Sequence, residues 1–148
     1  MNKIRIVQVD DQLAQLETVK NLLTGFKNIE LVNQFTSATE ALDFILANDI
    51  DLAILDIEMP DKDGFWLAKK LTTTNTLIVF LTSHPQYTLQ AFEACAIHYI
   101  LKPITKKLLE EVINRSAKIK GLNAEKNTVI QSKQITELIE NYLDKTSY

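Results

Sequence analysis

The chain predicts an α/β fold in which one parallel sheet is covered by helices on both faces, and three observations carry that prediction. Short runs rich in Ile, Val and Leu recur along the 148 residues, at 4–9, 51–55, 77–81 and 97–101, with a weaker one at 30–35. Segments with apolar residues at helical spacing lie between them. The runs are apolar throughout instead of alternating, which marks strands buried on both faces and therefore a parallel sheet.

The first unit pairs I-R-I-V-Q-V with a helix carrying Leu13, Leu16, Val19 and Leu23. The second pairs E-L-V-N-Q-F with a helix carrying Ala41, Leu42 and Ile45, opened by S-A-T-E. There Ser37 can cap the amide near Glu40 while Glu40 reaches back. A third helix follows Gly64, whose position predicts a turn at positive φ, and Phe65 and Trp66 read as core contacts of that helix. The last helix begins near Thr105, with Leu108, Leu109, Val112, Ile113 and Ser116 on one face and Lys106, Lys107, Glu110 and Glu111 turned to solvent. Five βα units are too few for an eight-fold barrel, and right-handed crossovers leave an open sheet. The expected fold is a flavodoxin-like, doubly wound sheet of order 2-1-3-4-5.

Residues 1–120 make up this domain. Residues 121–148 form a linker and an amphipathic helical tail with Ile135, Leu138, Ile139, Tyr142 and Leu143 at helical spacing. A 46% hydrophobic and 24% charged composition is that of a folding globular chain. The net charge of -3 supplies no basic field for a phosphate backbone, so DNA contact requires an additional output domain. The start M-N-K-I-R-I-V lacks the features of a signal peptide, and no apolar run reaches spanning length, which predicts a cytoplasmic protein away from membranes. The single cysteine, Cys95, lies between alanines and reads as a small buried hydrophobe.

In open parallel sheets ligands bind beyond the carboxyl ends of the strands. Here those ends carry Asp10 and Asp11, Asp56, Thr82 and Ser83, and Lys102 followed by Pro103. Singly, each has an ordinary structural role as cap, turn starter or surface charge. Jointly, three carboxylates on one rim repel by about 4 kcal/mol per pair at an effective dielectric of about 20, and something must offset that. Lys102 supplies one positive charge, and a hard divalent cation, best Mg²⁺, supplies the remainder. Asp56 then becomes a carboxylate nucleophile towards a phosphoryl group, with Thr82 donating its hydroxyl to a phosphoryl oxygen.

Over residues 3–120 the chain resembles the response-regulator receiver domains of two-component signalling. The resemblance rests on D-D at 10 and 11, D-I-E-M-P-D-K-D-G at 56–64, L-T-S at 81–83 and K-P at 102 and 103. It implies that Asp56 is the phosphoacceptor, that Asp10, Asp11, Asp56 and the Glu58 carbonyl hold the metal, and that Thr82 and Lys102 hold the phosphoryl group. It further implies a cis peptide before Pro103, a switch pair of Thr82 and Tyr99, and a sensor histidine kinase as phosphodonor. The fourth-helix to fifth-helix face is one candidate homodimer surface; the tail is another, since its apolar stripe must dock on the domain, pair with a second chain or belong to an output region. The stretch 87–104 is similar to receivers of the LytTR type.

His98 departs from the acidic residue common before the switch aromatic. His84, two residues past Thr82, joins Glu58 as a candidate for setting the lifetime of the phosphorylated state. Two other functions compete: a metal-dependent phosphatase with an aspartyl nucleophile, in which Asp56 and Glu58 form a D-x-D-like pair, and a binding module independent of phosphorylation.

Overall fold

A computed structural model describes residues 3–121 and Glu140. The expected tail helix, with Ile135, Leu138, Ile139, Tyr142 and Leu143, lies outside the described residues. Strands β1 (Ile4–Val9), β2 (Ile29–Phe35), β3 (Leu52–Leu55), β4 (Leu77–Thr82) and β5 (His98–Leu101) alternate with helices α1 (Leu13–Leu23), α2 (Ala38–Ala47), α3 (Gly64–Lys70), α4 (Thr88–Glu93) and α5 (Lys106–Ile119). All neighbouring strands run parallel, in the order β2-β1-β3-β4-β5. The weaker run at 30–35 is the edge strand β2, and its lower apolar content matches its partial exposure.

Because side chains alternate across a strand, each apolar run feeds two cores. Val7, Val9, Ala53, Leu55, Ile78 and Phe80 face α2, α3 and α4, meeting Ala41, Ile45, Leu67 and Ala91. Ile4, Ile6, Leu52, Ile54, Val79 and Leu81 face α1 and α5, meeting Val19, Leu23, Leu109, Val112 and Ile113. Burying a Leu or Ile side chain is worth about 1.5–3 kcal/mol, so two filled cores secure the central strands and the residues at their ends.

The caps explain where the helices begin. Ser37 accepts the Glu40 amide at 3.3 Å, Asp63 accepts the Trp66 amide at 2.8 Å, and Thr105 accepts the Leu108 amide at 3.2 Å. Along α5, Leu109, Val112, Ile113 and Ser116 are buried while Lys106, Lys107, Glu110 and Glu111 are exposed. Phe65 and Trp66 pack against the first core, Phe65 with its ring 5.0 Å from that of Phe80.

Two local readings are corrected. Cys95 is exposed, not buried. It has φ 61° and ends α4, its amide bonded to the Phe92 carbonyl and the Ala96 amide to the Ala91 carbonyl. That left-handed helix stop points Cys95 outward and leaves Ala96 and Ile97 in the core. Gly64 is not at positive φ; in its loop that conformation falls on Asp61, at φ 71°. Glycine is required at 64 for close approach instead, because a Cβ there would lie 2.1 Å from the main-chain oxygen of Asp56. Among the described residues no helix is long and apolar enough to cross a membrane.

Candidate functional site

The parallel register brings the strand ends to a common rim. Val9 pairs with Leu55, Leu55 with Phe80, and Thr82 with Leu101, so the next residues along β1, β3 and β5 emerge side by side. Main-chain bonds continue past the strands: the Asp10 amide to Phe35, the Asp56 amide to Val9 and the Lys102 amide to Thr82, at 3.0, 2.9 and 2.8 Å. Side-chain positions at these residues are thereby set by the sheet.

Asp10 and Asp56 are buried, at 1% and 6% exposure, while Asp11 is exposed. Carboxylate oxygens of all three lie within 4.8 Å of one another. Lys102 reaches between two of them, its Nζ 2.8 Å from Asp10 Oδ2 and 3.2 Å from Asp56 Oδ2. The contact to Asp10 is an ion pair without hydrogen-bond geometry, which leaves Oδ2 buried and without a hydrogen bond. The other oxygens are engaged: Asp10 Oδ1 by the Gln12 amide at 2.9 Å, and Asp56 Oδ1 by the Ile57 amide at 2.8 Å.

Burial raises the Asp10 carboxyl above its ordinary range, against the lowering effect of Lys102 and the Gln12 amide. Burial alone would lower Lys102, but the close Asp10 carboxylate, with the charge of Asp56, raises its ammonium instead. The rim sets three carboxylates against a single lysine. A hard cation fits this donor set, since three carboxylates converge and one buried oxygen lacks a hydrogen bond.

Thr82 is fully buried, and its Oγ1 accepts the His84 amide at 3.3 Å. Tyr99 is inward and 4% exposed; burial raises its phenol, which donates to the His84 carbonyl. The Lys102–Pro103 peptide is cis. His84 and Glu58, each two residues beyond a rim residue, meet with Nδ1 3.2 Å from Oε2.

Sequence reasoning missed Tyr87, whose hydroxyl donates to the same Glu58 Oε2 at 3.1 Å. The Glu58 carboxylate raises this phenol as well. The partners are 29 residues apart, so no local pattern announces the pair; the one cue was an aromatic one turn beyond His84.

Comparison with known proteins agrees with this geometry. The family described as the response regulator receiver domain matches residues 6–114. The sensory transduction protein LytT of Bacillus anthracis is 31% identical over 135 residues, covering 90% of this chain and 55% of its own length. The transcriptional regulatory protein BtsR of Salmonella typhi is 36% identical over 113 residues, covering 76% and 47%. The chain thus spans about half the length of the curated relatives it matches. Among solved structures, the response regulatory domain of protein mrkE from Klebsiella pneumoniae superposes with a TM-score of 0.69 at 30% identity, covering 76% of this chain and 94% of that one. Strand order, the aspartate-lysine rim and these matches together place the chain in the response regulator receiver domain family of two-component signalling.

Proposed function

We propose that Asp56 is the phosphoacceptor of a two-component phosphorelay, receiving its phosphoryl group from a sensor histidine kinase. The observation that carries this reading is the buried Asp56 carboxylate, set at the end of β3 with the Lys102 ammonium 3.2 Å from one oxygen and Asp10 beyond it. In the transfer an Asp56 oxygen forms a bond to phosphorus as the bond from phosphorus to the donor's imidazole nitrogen breaks, the electron pair leaving on that nitrogen. Such reactions depend mainly on alignment and charge stabilisation. Lys102 neutralises charge on the phosphoryl oxygens, and Thr82 presents a hydroxyl to one of them.

Mg²⁺ would be held by Asp10, Asp11 and Asp56 with the Glu58 main-chain carbonyl. When bound, it supplies charge neutralisation for the nucleophile and the phosphoryl oxygens. Thr82 drawn towards the phosphoryl group and Tyr99 inward constitute the switched state, which alters the surface formed by α4 and α5. That face, or the tail after residue 120, is where a homodimer would form. Glu58 and His84, meeting over the pocket, set the lifetime of the phosphorylated state. The domain is a signalling switch that catalyses its own phosphorylation and dephosphorylation, and it works in the cytoplasm. The names of the half-matched relatives support a transcriptional output, reached through a DNA-binding domain beyond the described residues.

Incubation with Mg²⁺ and acetyl phosphate tests the assignment. One phosphoryl adduct by intact mass, lost in Asp56→Asn and lost on chelation, is the expected result. An adduct that survives Asp56→Asn rejects it. Continuous phosphate release from varied phosphate esters would favour the phosphatase, and no adduct at all the phosphorylation-independent module.

A further inference from the structure

A cluster beside the phosphoacceptor has no role in the transfer itself. One oxygen of Glu58 accepts the Tyr87 hydroxyl at 3.1 Å and lies 3.2 Å from His84 Nδ1, joining the loop after β3 to the segment after β4. The Tyr87 ring is anchored on its own account. It meets the Phe65 ring edge-on at 5.8 Å, and Phe65 packs 5.0 Å from fully buried Phe80. His84 is held at two further points, its amide by Thr82 Oγ1 and its carbonyl by the Tyr99 hydroxyl. A shallow cavity lined by Glu58, Met59, Pro60, Asp63 and Tyr87 opens on this side.

We infer that Tyr87 is a positioning residue for the phosphorylated state: its hydroxyl fixes the Glu58 carboxylate, Glu58 fixes His84, and the resulting bridge restricts water at Asp56. The inference rests on the phosphoacceptor reading of Asp56. Hydrolysis requires water to approach phosphorus opposite the Asp56 oxygen. A bond from water oxygen to phosphorus forms, the bond from phosphorus to Asp56 breaks with its electron pair returning to the carboxylate, and the water proton passes to solvent. Two loops tied across the pocket narrow that approach, whereas untied loops open it. The phenol suits the task because its ring is held by the core while its hydroxyl reaches an acceptor on the other loop. The bridge also ends at the Tyr99 hydroxyl through His84, so the latch and the inward aromatic share one residue.

Tyr87→Phe removes the hydroxyl and keeps the ring on Phe65. The full chain, Tyr87→Phe, Glu58→Ala and the double variant are loaded with Mg²⁺ and acetyl phosphate, freed of donor, and followed by intact mass. Tyr87→Phe is expected to shorten the adduct's lifetime by about two- to tenfold, the span that one hydrogen bond supplies. The double variant decays no faster than Glu58→Ala, because both changes break one bridge. Hydrogen exchange of the unphosphorylated protein should show faster amides at 84–88 in Tyr87→Phe with those of β1 and β3 unchanged. A wild-type lifetime in Tyr87→Phe, or effects that multiply in the double variant, overturns the inference while leaving the phosphoacceptor in place. Absence of any adduct on the unaltered chain overturns both.

Discussion

The two ends of the sheet each set a lysine against aspartate, and they are built to opposite standards. At the amino end, Asp51 Oδ2 accepts the Arg5 amide at 2.8 Å while Lys120 stands 3.6 Å from Oδ1 and donates to the Asn75 carbonyl at 2.5 Å. Those side chains keep 20% and 24% of their surface in water. At the carboxyl end, Lys102 and Asp10 keep 7% and 1%, two buried carboxylates share one cation, and an Asp10 oxygen is left without a hydrogen bond. Satisfied and hydrated charge at one end serves packing. Concentrated and undercompensated charge at the other costs stability, and a bound cation would offset that cost.

The sharpest way to break the comparison is to remove each lysine. Lys102→Met leaves Asp10 and Asp56 facing each other, both buried, without a counter-charge. Truncating one side of a buried ion pair costs about 3–5 kcal/mol, and about 3 is expected here in urea unfolding at neutral pH, because Asp10, already raised by burial, partly relieves the repulsion by taking up a proton. Adduct formation from acetyl phosphate should slow by about a hundredfold, the usual loss for one charge-stabilising donor. Equal stability losses at Lys102 and Lys120 would erase the distinction between the two ends.

Asp10→Asn comes next, and its sign runs the other way. Burial holds the Asp10 carboxyl above its ordinary 3.8, so the folded domain binds this proton more tightly than the unfolded chain. Its contribution to stability is therefore present below the unfolded value and lost as pH rises through the folded one. Replacing the carboxylate removes that loss and one repulsion with Asp56, so Asp10→Asn should gain on the order of 1 kcal/mol at neutral pH without metal. The variant should flatten the stability profile across the acid range, and Mg²⁺ should no longer raise its melting temperature. A less stable Asp10→Asn would mean that the ion pair with Lys102 outweighs burial. Asp51→Asn is the matched control and should lose stability, since Asp51 accepts the Arg5 amide and faces Lys120 in a wetter setting.

Much of this contrast is legible in the sequence, for a physical reason. A parallel sheet delivers all its carboxyl ends to one side, so Asp10, Asp56, Thr82 and Lys102 are placed together as soon as four apolar runs are read as strands. The unread features are those whose cause lies far along the chain. Gly64 is needed by the Asp56 backbone against it, not by its own φ. Cys95 looks buried between alanines, yet the left-handed stop of α4 turns it out. Tyr87 reaches Glu58 only because the fold brings together two loops 29 residues apart. Local pattern predicts what a strand end carries; it is silent on which loops meet above it.

Lys120→Met is the smallest effect and the most discriminating control. Its ammonium is partly hydrated, its ion pair to Asp51 is long, and Asp51 retains the Arg5 amide when Lys120 is gone. The loss should be no more than about 1 kcal/mol and should shrink further in high salt, as for other accessible pairs. Neither the yield nor the lifetime of the adduct should change, because the amino ends of the strands lie a full strand length from Asp56. Should Lys120→Met alter the lifetime, the two ends of the sheet would be coupled through β3, and undercompensated charge at the carboxyl rim would no longer suffice to explain where the chemistry resides.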